Sequence, residues 1–339
     1  MIKAEFKKLF IKNKLIYFAL GVIVLSLIFQ LSSNTYTQFS LDNQQSFYEE
    51  YMARLKGKTN EDKTAIISKI YNDYNNIGNE LADLDNDYKN GNISTETYEE
   101  QREKLSEFSS CGNAVDYLVS CADYVNENPN RHYYIDYLGW TQVFQNYGFD
   151  FLLMIFVLAM SVGAVMIEYN SDMTAVNAVS EKGRKFYSTS KIILVLSFTA
   201  LLTLILSVIH LVVFSFKYDL SGWNYPLESL KAYSGSSKNL SIIGAYILSV
   251  LIKIFGYCCF AVFTMFFAVL LKKYAPAMTF SLALALLPMY ILNSNTDGQT
   301  LYLIPLPAGV MISTGYIKGT QKSEFTEDYF FREVEYSQM

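Results

Sequence analysis

Five stretches of this chain are almost purely apolar, and the segments between them are polar and rich in Asn, Asp, Tyr and Lys. The apolar runs fall at 15–31, 149–167, 192–216, 241–271 and 277–294. Each reaches or nearly reaches the roughly 17–25 residues that cross a hydrocarbon core of about 30 Å. The alternation predicts an all-α, polytopic membrane protein with about five transmembrane helices. TM1 is 15–31, TM2 149–167, TM3 192–216 and TM5 277–294. The run 241–271 is too long for one span, so an outer helix followed by TM4 at about 252–271 is expected there. Pro288 should kink TM5. Beyond it, 295–339 is a Pro-containing segment and polar tail whose apolar part, 301–313, suits a re-entrant piece.

The polar insertion 32–148 carries its own pattern. Ile70, Tyr74, Ile77, Leu81, Leu84 and Tyr88 recur in steps of 4, 3, 4, 3 and 4, the seam of a packed helix. Lys89-Asn-Gly-Asn92 breaks it. Ser94 is a good N-cap for a second helix over about 95–126, whose stripe is Tyr98, Leu105, Phe108, Val115, Leu118, Ala122 and Val125. Together they predict an extracytoplasmic helical hairpin ending at Pro129. The aromatic residues that follow, Tyr133, Tyr134, Tyr137, Trp140 and Tyr147, read as a belt returning to the bilayer surface.

At the N-terminus, residues 1–14 read as an interfacial amphipathic helix. Phe6 and Phe10 lie with Ile2 and Leu9 on one face, and Lys3, Lys7 and Lys8 fill the other. The first apolar run has no Ala-x-Ala-like site, so it is expected to remain as an uncleaved span. Lys and Arg set the orientation. The loop 168–191 holds Lys182, Arg184, Lys185 and Lys191, and 272–276 holds Lys272 and Lys273. With the basic N-terminus, these segments are expected on the cytoplasmic side, which puts 32–148 and the loop 217–240 outside.

Composition sharpens the exclusions. Hydrophobic residues make up 51% and charged residues 17%, and the net charge is −5. The insertion 32–148 has nine Lys/Arg against nineteen Asp/Glu, so nothing there could neutralise nucleic-acid phosphates. No Gly-x4-Gly-Lys-Ser/Thr is present, and ATP hydrolysis by this chain is not expected. The two histidines, His132 and His210, have no metal-spaced partner. Asp83, Asp85 and Asp87 lack the glycine and terminal Glu of an EF-hand loop. No enzyme, metal or cofactor is expected. His210 and Lys253 fall inside apolar runs. His210 is expected to hydrogen-bond between helices, and Lys253 to snorkel or to face the protein interior. Cys258 and Cys259 are packing residues. Cys111 and Cys121 can be bridged only if the helix around them breaks at Gly112.

The order of parts resembles an ABC-2 type transporter permease. Lys3 to Lys14 resembles that family's interfacial helix. Glu168, Glu181-Lys-Gly-Arg-Lys185 and Lys191 resemble the "Glu … Lys-Gly-Arg … Lys" loop of clostridial-type members, and Leu248 to Gly256 with Phe266 to Lys273 resembles its fourth span. The resemblance implies that Glu168, Glu181, Lys182, Gly183, Arg184, Lys185 and Lys191 couple the chain to a separate ABC ATP-binding subunit. It implies export of a substrate across the plasma membrane of a Gram-positive bacterium, with a second permease copy or a sister permease as partner. Asp172 and Met173 stand where the family often has Gly-Thr, and its sixth span has no counterpart among the five runs. The competing class is a non-transporting receptor acting through the helical ectodomain.

Overall fold

The structure, a computed structural model, describes residues 6–145, 151–169, 183–234 and 239–294. It is an all-α polytopic membrane protein. Among the described residues there is no β-strand, only two isolated backbone bridges. The chain divides into two compact units.

Among the described residues the first unit comprises 6–34, 142–145, 151–169, 183–217 and 244–294. Its described helices are α1 (Lys7–Lys12, a π-helical turn), α2 (Leu15–Ser32), α8 (Phe151–Tyr169), α9 (Gly183–Lys217), most of α10 (Ile242–Leu271) and α11 (Tyr274–Ser294). Among the described residues three helices are long and apolar enough to cross a membrane, Leu15–Ser32, Ser188–Lys217 and Ile242–Leu271, and Phe151–Ile167 is a shorter apolar helix. α8 lies at the centre. Leu153, Phe156, Val157, Met160, Val162 and Ala164 are all buried, and it packs against α2, α9 and α11. α2 instead buries one narrow stripe, Leu15, Ala19, Val22 and Ser26, and exposes Phe18, Leu25, Ile28 and Phe29. A helix apolar on every side but buried on one stripe is at rest only in lipid. Small residues in that stripe, Ala19 and Ser26, let the helices approach closely.

Two boundaries differ from the sequence reading. α10 is one continuous 30-residue helix, about 45 Å long, and not an outer helix followed by a shorter span. No proline interrupts it, and Lys253 does not force a break because its side chain is taken into the protein interior, 4% exposed. α9 likewise begins at Gly183 rather than near 192, so Gly183, Arg184 and Lys185, expected in the loop, are already helical. The kink expected at Pro288 falls in α11 at side chains outside the described residues, as does the whole of 295–339.

Among the described residues the second unit comprises 35–141, 218–234 and 239–243. It contains α3 (Asp42–Leu55), α4 (Glu61–Lys89), α5 (Thr95–Ser110), α6 (Gly112–Glu127) and the start of α7 (Tyr137–Gln145). Of the expected seam, Ile70, Ile77 and Leu84 are buried along α4, Tyr74 and Leu81 are half-buried, and Tyr88 is exposed. The Asn60 side chain caps α4 by accepting from the Lys63 N–H at 3.0 Å, and Ser94 caps α5 by accepting from the Thr97 N–H at 3.2 Å. Between them the chain turns at Gly91, whose φ of +74° suits glycine. Tyr88 and Tyr98 stack at 4.3 Å across the hairpin.

The second helix is two helices. The break falls at Cys111, before Gly112, where a β-carbon would collide with the Tyr74 hydroxyl. α6 can then turn its stripe (Ala114, Leu118, Ala122, Val125) onto Tyr48, Met52 and Leu55 of α3. Both Cys111 and Cys121 are free thiols.

The expected aromatic belt is core instead. Tyr134 and Trp140 are fully buried. Tyr134 pairs its backbone with Gly57 and packs with Tyr48 and Leu118, while Trp140, Tyr124 and Tyr137 find partners in 218–243, which the sequence reading treated as a simple loop. The Trp140 indole N–H donates to the Ser221 carbonyl at 3.1 Å, the Tyr124 hydroxyl to the Glu228 carbonyl at 2.5 Å, and the Ala232 N–H to the Tyr137 hydroxyl at 2.8 Å. Lys56 pairs with Asp219, and Arg131 with Glu228 at 3.3 Å. This segment therefore completes the polar insertion as a single folded unit. Tyr147 lies outside the described residues.

Candidate functional site

Of the candidate coupling residues, Glu168, Gly183, Arg184, Lys185 and Lys191 lie on described helices of the first unit. α8 ends at Tyr169 and α9 begins at Gly183. Lys191 sits two turns into α9 and is 8% exposed. Its ammonium donates to the Ala164 carbonyl of α8 at 2.8 Å. Ala164 lies within the last two turns of α8, where the carbonyl ends of the peptide dipoles favour a cation. A lysine can be buried in an apolar bundle only if its charge is met by acceptors of this kind. The bond joins the two helices that flank 168–191, close to the loop itself.

The other loop candidates are less fully placed. Glu168 is in the last turn of α8, and Gly183, Arg184 and Lys185 form the first turn of α9. Their charged side chains, and Glu181 and Lys182 altogether, lie outside the described residues. One electrostatic consequence follows from the backbone alone. The N-terminal turn of a helix carries a positive partial charge, and two cationic residues there raise it further. Such an end is stabilised by anions.

The N-terminal residues are packed differently from the expectation. Lys3 lies outside the described residues. Phe6 stacks on Phe10 at 4.9 Å, and Phe10 meets Phe198 of α9 at 4.1 Å. Phe10 is 0% exposed and Leu9 is buried, so this apolar face inserts into the helix bundle rather than into lipid. Lys7 stays exposed and Lys8 half-buried. The segment closes as a single π-helical turn because the backbone reverses at Lys14, φ +57°.

No protein-family model, curated protein or solved structure matches this chain. Its chemistry must be read from the residues.

A polar band runs through the apolar interior. On α9, Thr199, Thr203, Ser207 and His210 form one buried stripe. Thr203 donates to the Thr199 carbonyl and Ser207 to the Thr203 carbonyl, each at 2.8 Å, which satisfies those two hydroxyls within the helix, while the buried Thr199 hydroxyl has no partner among the described residues. His210 Nε2 meets the Val143 carbonyl at 3.2 Å, the interhelical bond expected from the sequence. On α10, Tyr246, Ser249 and Lys253 form the facing band, and the Tyr246 hydroxyl donates to the Ser207 carbonyl at 2.7 Å. Tyr246 and Ser207 were not singled out from sequence. The signal was available: Thr, Ser and His recur at helical spacing in an otherwise apolar run. Among the described residues, no group of three His, Cys, Asp or Glu could hold a metal ion.

Proposed function

We propose that this chain is the membrane-spanning permease subunit of an ATP-driven ABC exporter, coupled to a separate ATP-binding subunit through 168–191. The observation that carries the reading is the Lys191 bond to Ala164. α9 runs unbroken from Gly183 in the loop to Lys217 at the far end of the span, about 52 Å. A displacement at its loop end is delivered along the whole helix, because a continuous helix is stiff on that scale. Lys191 ties α9 to α8 at the same level. A push on the loop therefore moves both helices together, and the polar band of α9 moves with them. Lys7, Lys8, Lys12 and Lys14 precede α2, Arg184 and Lys185 open α9, and Lys272 and Lys273 join α10 to α11. Such clustering of basic residues favours a cytoplasmic position for this end.

On this reading the cationic start of α9 faces carboxylates of the ATP-binding subunit. The chain pairs with a second copy or a sister permease around a translocation path. Photo-crosslinking from position 184 in the native cells tests the contact. A crosslink to a nucleotide-binding protein is expected. Crosslinks to lipid alone would contradict the proposal and favour a receptor acting through the second unit.

A further inference from the structure

A groove of about 420 Å³ opens on the first unit beside the start of α2. Its head is polar, formed by Asn13, Lys14 and Tyr274, and its trough is apolar, formed by Phe18, Ala159 and Gly163. The trough exists because α8 presents two small residues one turn apart. A β-carbon on Gly163 would meet nothing within 4 Å, so the space beside it is vacant of protein atoms among the described residues. A small-residue trough alone carries no ligand. The charge at its head does. Lys12, Lys14, Lys272 and Lys273 are all exposed, and among the described residues none of the four forms an ion pair with a carboxylate. Lys272 and Lys273 immediately precede Tyr274. Lys14 and Lys272 both hold the left-handed backbone, φ +57° and +51°, rare for a residue with a side chain. Each sits at a reversal between helices; Lys14 lines the groove itself, and Lys272 and Lys273 adjoin its lining residue Tyr274 in the chain.

A cationic head joined to an apolar trough at the end of a membrane bundle has the form of a phospholipid. We infer that this groove holds one anionic glycerophospholipid, its phosphate against Lys14 and the Tyr274 hydroxyl and one acyl chain over Ala159 and Gly163. Among the described residues the lysines at this end have no carboxylate paired with them, and that selects an anionic headgroup over a zwitterionic one. The site does not depend on the permease reading: it needs only the lipid in which the helices lie.

The test is native mass spectrometry of the full chain in mild detergent, with phosphatidylglycerol or phosphatidylcholine added. One phosphatidylglycerol per chain should be retained, with a preference of about fivefold per rim lysine engaged. Lys14→Asn keeps the left-handed backbone, which Asn tolerates best among residues with a side chain. It should reduce the preference about fivefold while leaving some lipid bound. Gly163→Phe should fill the trough and abolish retention of both lipids. Val208→Phe, on the exposed face of α9, should change nothing. Equal retention of both lipids by the wild-type chain, or unchanged retention in Gly163→Phe, would mean annular lipid only and overturn the proposal. If Gly163→Phe does not purify as a folded chain, Lys14→Asn decides alone, and an unaltered preference overturns it.

Discussion

The chain has two tryptophans, and they sit in opposite environments. Trp140 is 1% exposed and Trp223 is 57% exposed. Both belong to the second unit, so Trp140→Phe and Trp223→Phe form a matched pair. Truncating a buried Trp to Ala costs about 3–5 kcal/mol. Phe retains most of the ring, which lowers the transfer loss to about 1–2 kcal/mol. The indole N–H bond to the Ser221 carbonyl at 3.1 Å is also lost, adding about 1 kcal/mol. The expected destabilisation is therefore about 2–3 kcal/mol. For a domain of this size it lowers the unfolding midpoint by about 8–12 °C. Trp223→Phe should change stability by less than about 0.5 kcal/mol. Each variant leaves one emitter. In Trp223→Phe, the remaining Trp140 should emit to the blue and resist acrylamide quenching. In Trp140→Phe, Trp223 should emit to the red and quench readily. Thermal unfolding of the detergent-solubilised full chain, followed by fluorescence and circular dichroism, gives both readouts. A midpoint in Trp140→Phe within 1 °C of wild type, or a quenchable Trp140, would refute the claim that 218–243 and the start of α7 share one core. Trp140 would then belong to an aromatic belt, as its sequence suggests.

Other expectations follow from single groups. The Asp136 carboxyl is raised above its ordinary 3.8 by burial, with Asp219 adding to the effect, while the Leu138 N–H, Lys56 and Tyr48 act in the opposite direction. A raised carboxyl binds its proton more tightly in the folded state, so it opposes folding at neutral pH and ceases to do so at acid pH. Asp136→Asn, which still accepts from the Leu138 N–H, should raise the midpoint at pH 7, with the gain vanishing as pH falls towards the ordinary carboxylate value; a uniform shift at every pH would contradict this. Burial pushes the Cys121 thiol up to about 12 and raises Cys111 as well. Neither should react with maleimide at neutral pH until the chain is denatured, when both should, without reductant. Gly112→Ala should destabilise the second unit by about 1–2 kcal/mol by displacing Tyr74, despite alanine's higher helix propensity; stabilisation in a urea titration would show that the ring yields freely. Lys191→Met exchanges a charged hydrogen bond for an apolar fill of similar length. Those terms nearly cancel in stability. Assembly with the proposed ATP-binding subunit should persist, while coupled ATP turnover falls about tenfold.

What could be read from the sequence was whatever depends on local contrast. TM1 at 15–31 meets α2 at Leu15–Ser32 because an apolar run between lysines and polar residues has only one way to lie in a bilayer. The α4 seam and the Ser94 cap were legible because helical spacing and capping are local rules. Non-local pairing was not. The stripe from Tyr98 to Val125 keeps helical spacing through Cys111, and only the Tyr74 hydroxyl, far back in the chain, marks the break. Nothing in 217–240 shows that Ser221 and Glu228 meet Trp140 and Tyr124. The length of 241–271 suggests dividing it, and sequence leaves open whether Lys253 snorkels or turns inward, because the cost of a buried charge is set by neighbours that sequence does not place. The same limit applies at the candidate site. Lys191 was chosen for its loop position, but its partner, the Ala164 carbonyl, carries no side-chain signature at all.

The most direct test of the permease reading is purification of the tagged full chain from its native cells in mild detergent, with quantification of the proteins that accompany it. The expected result is an ATP-binding subunit in stoichiometric amount, lost in the Arg184→Glu/Lys185→Glu variant while the chain itself remains folded. A preparation free of any ATP-binding subunit, under conditions that keep a control ABC complex intact, would contradict the account.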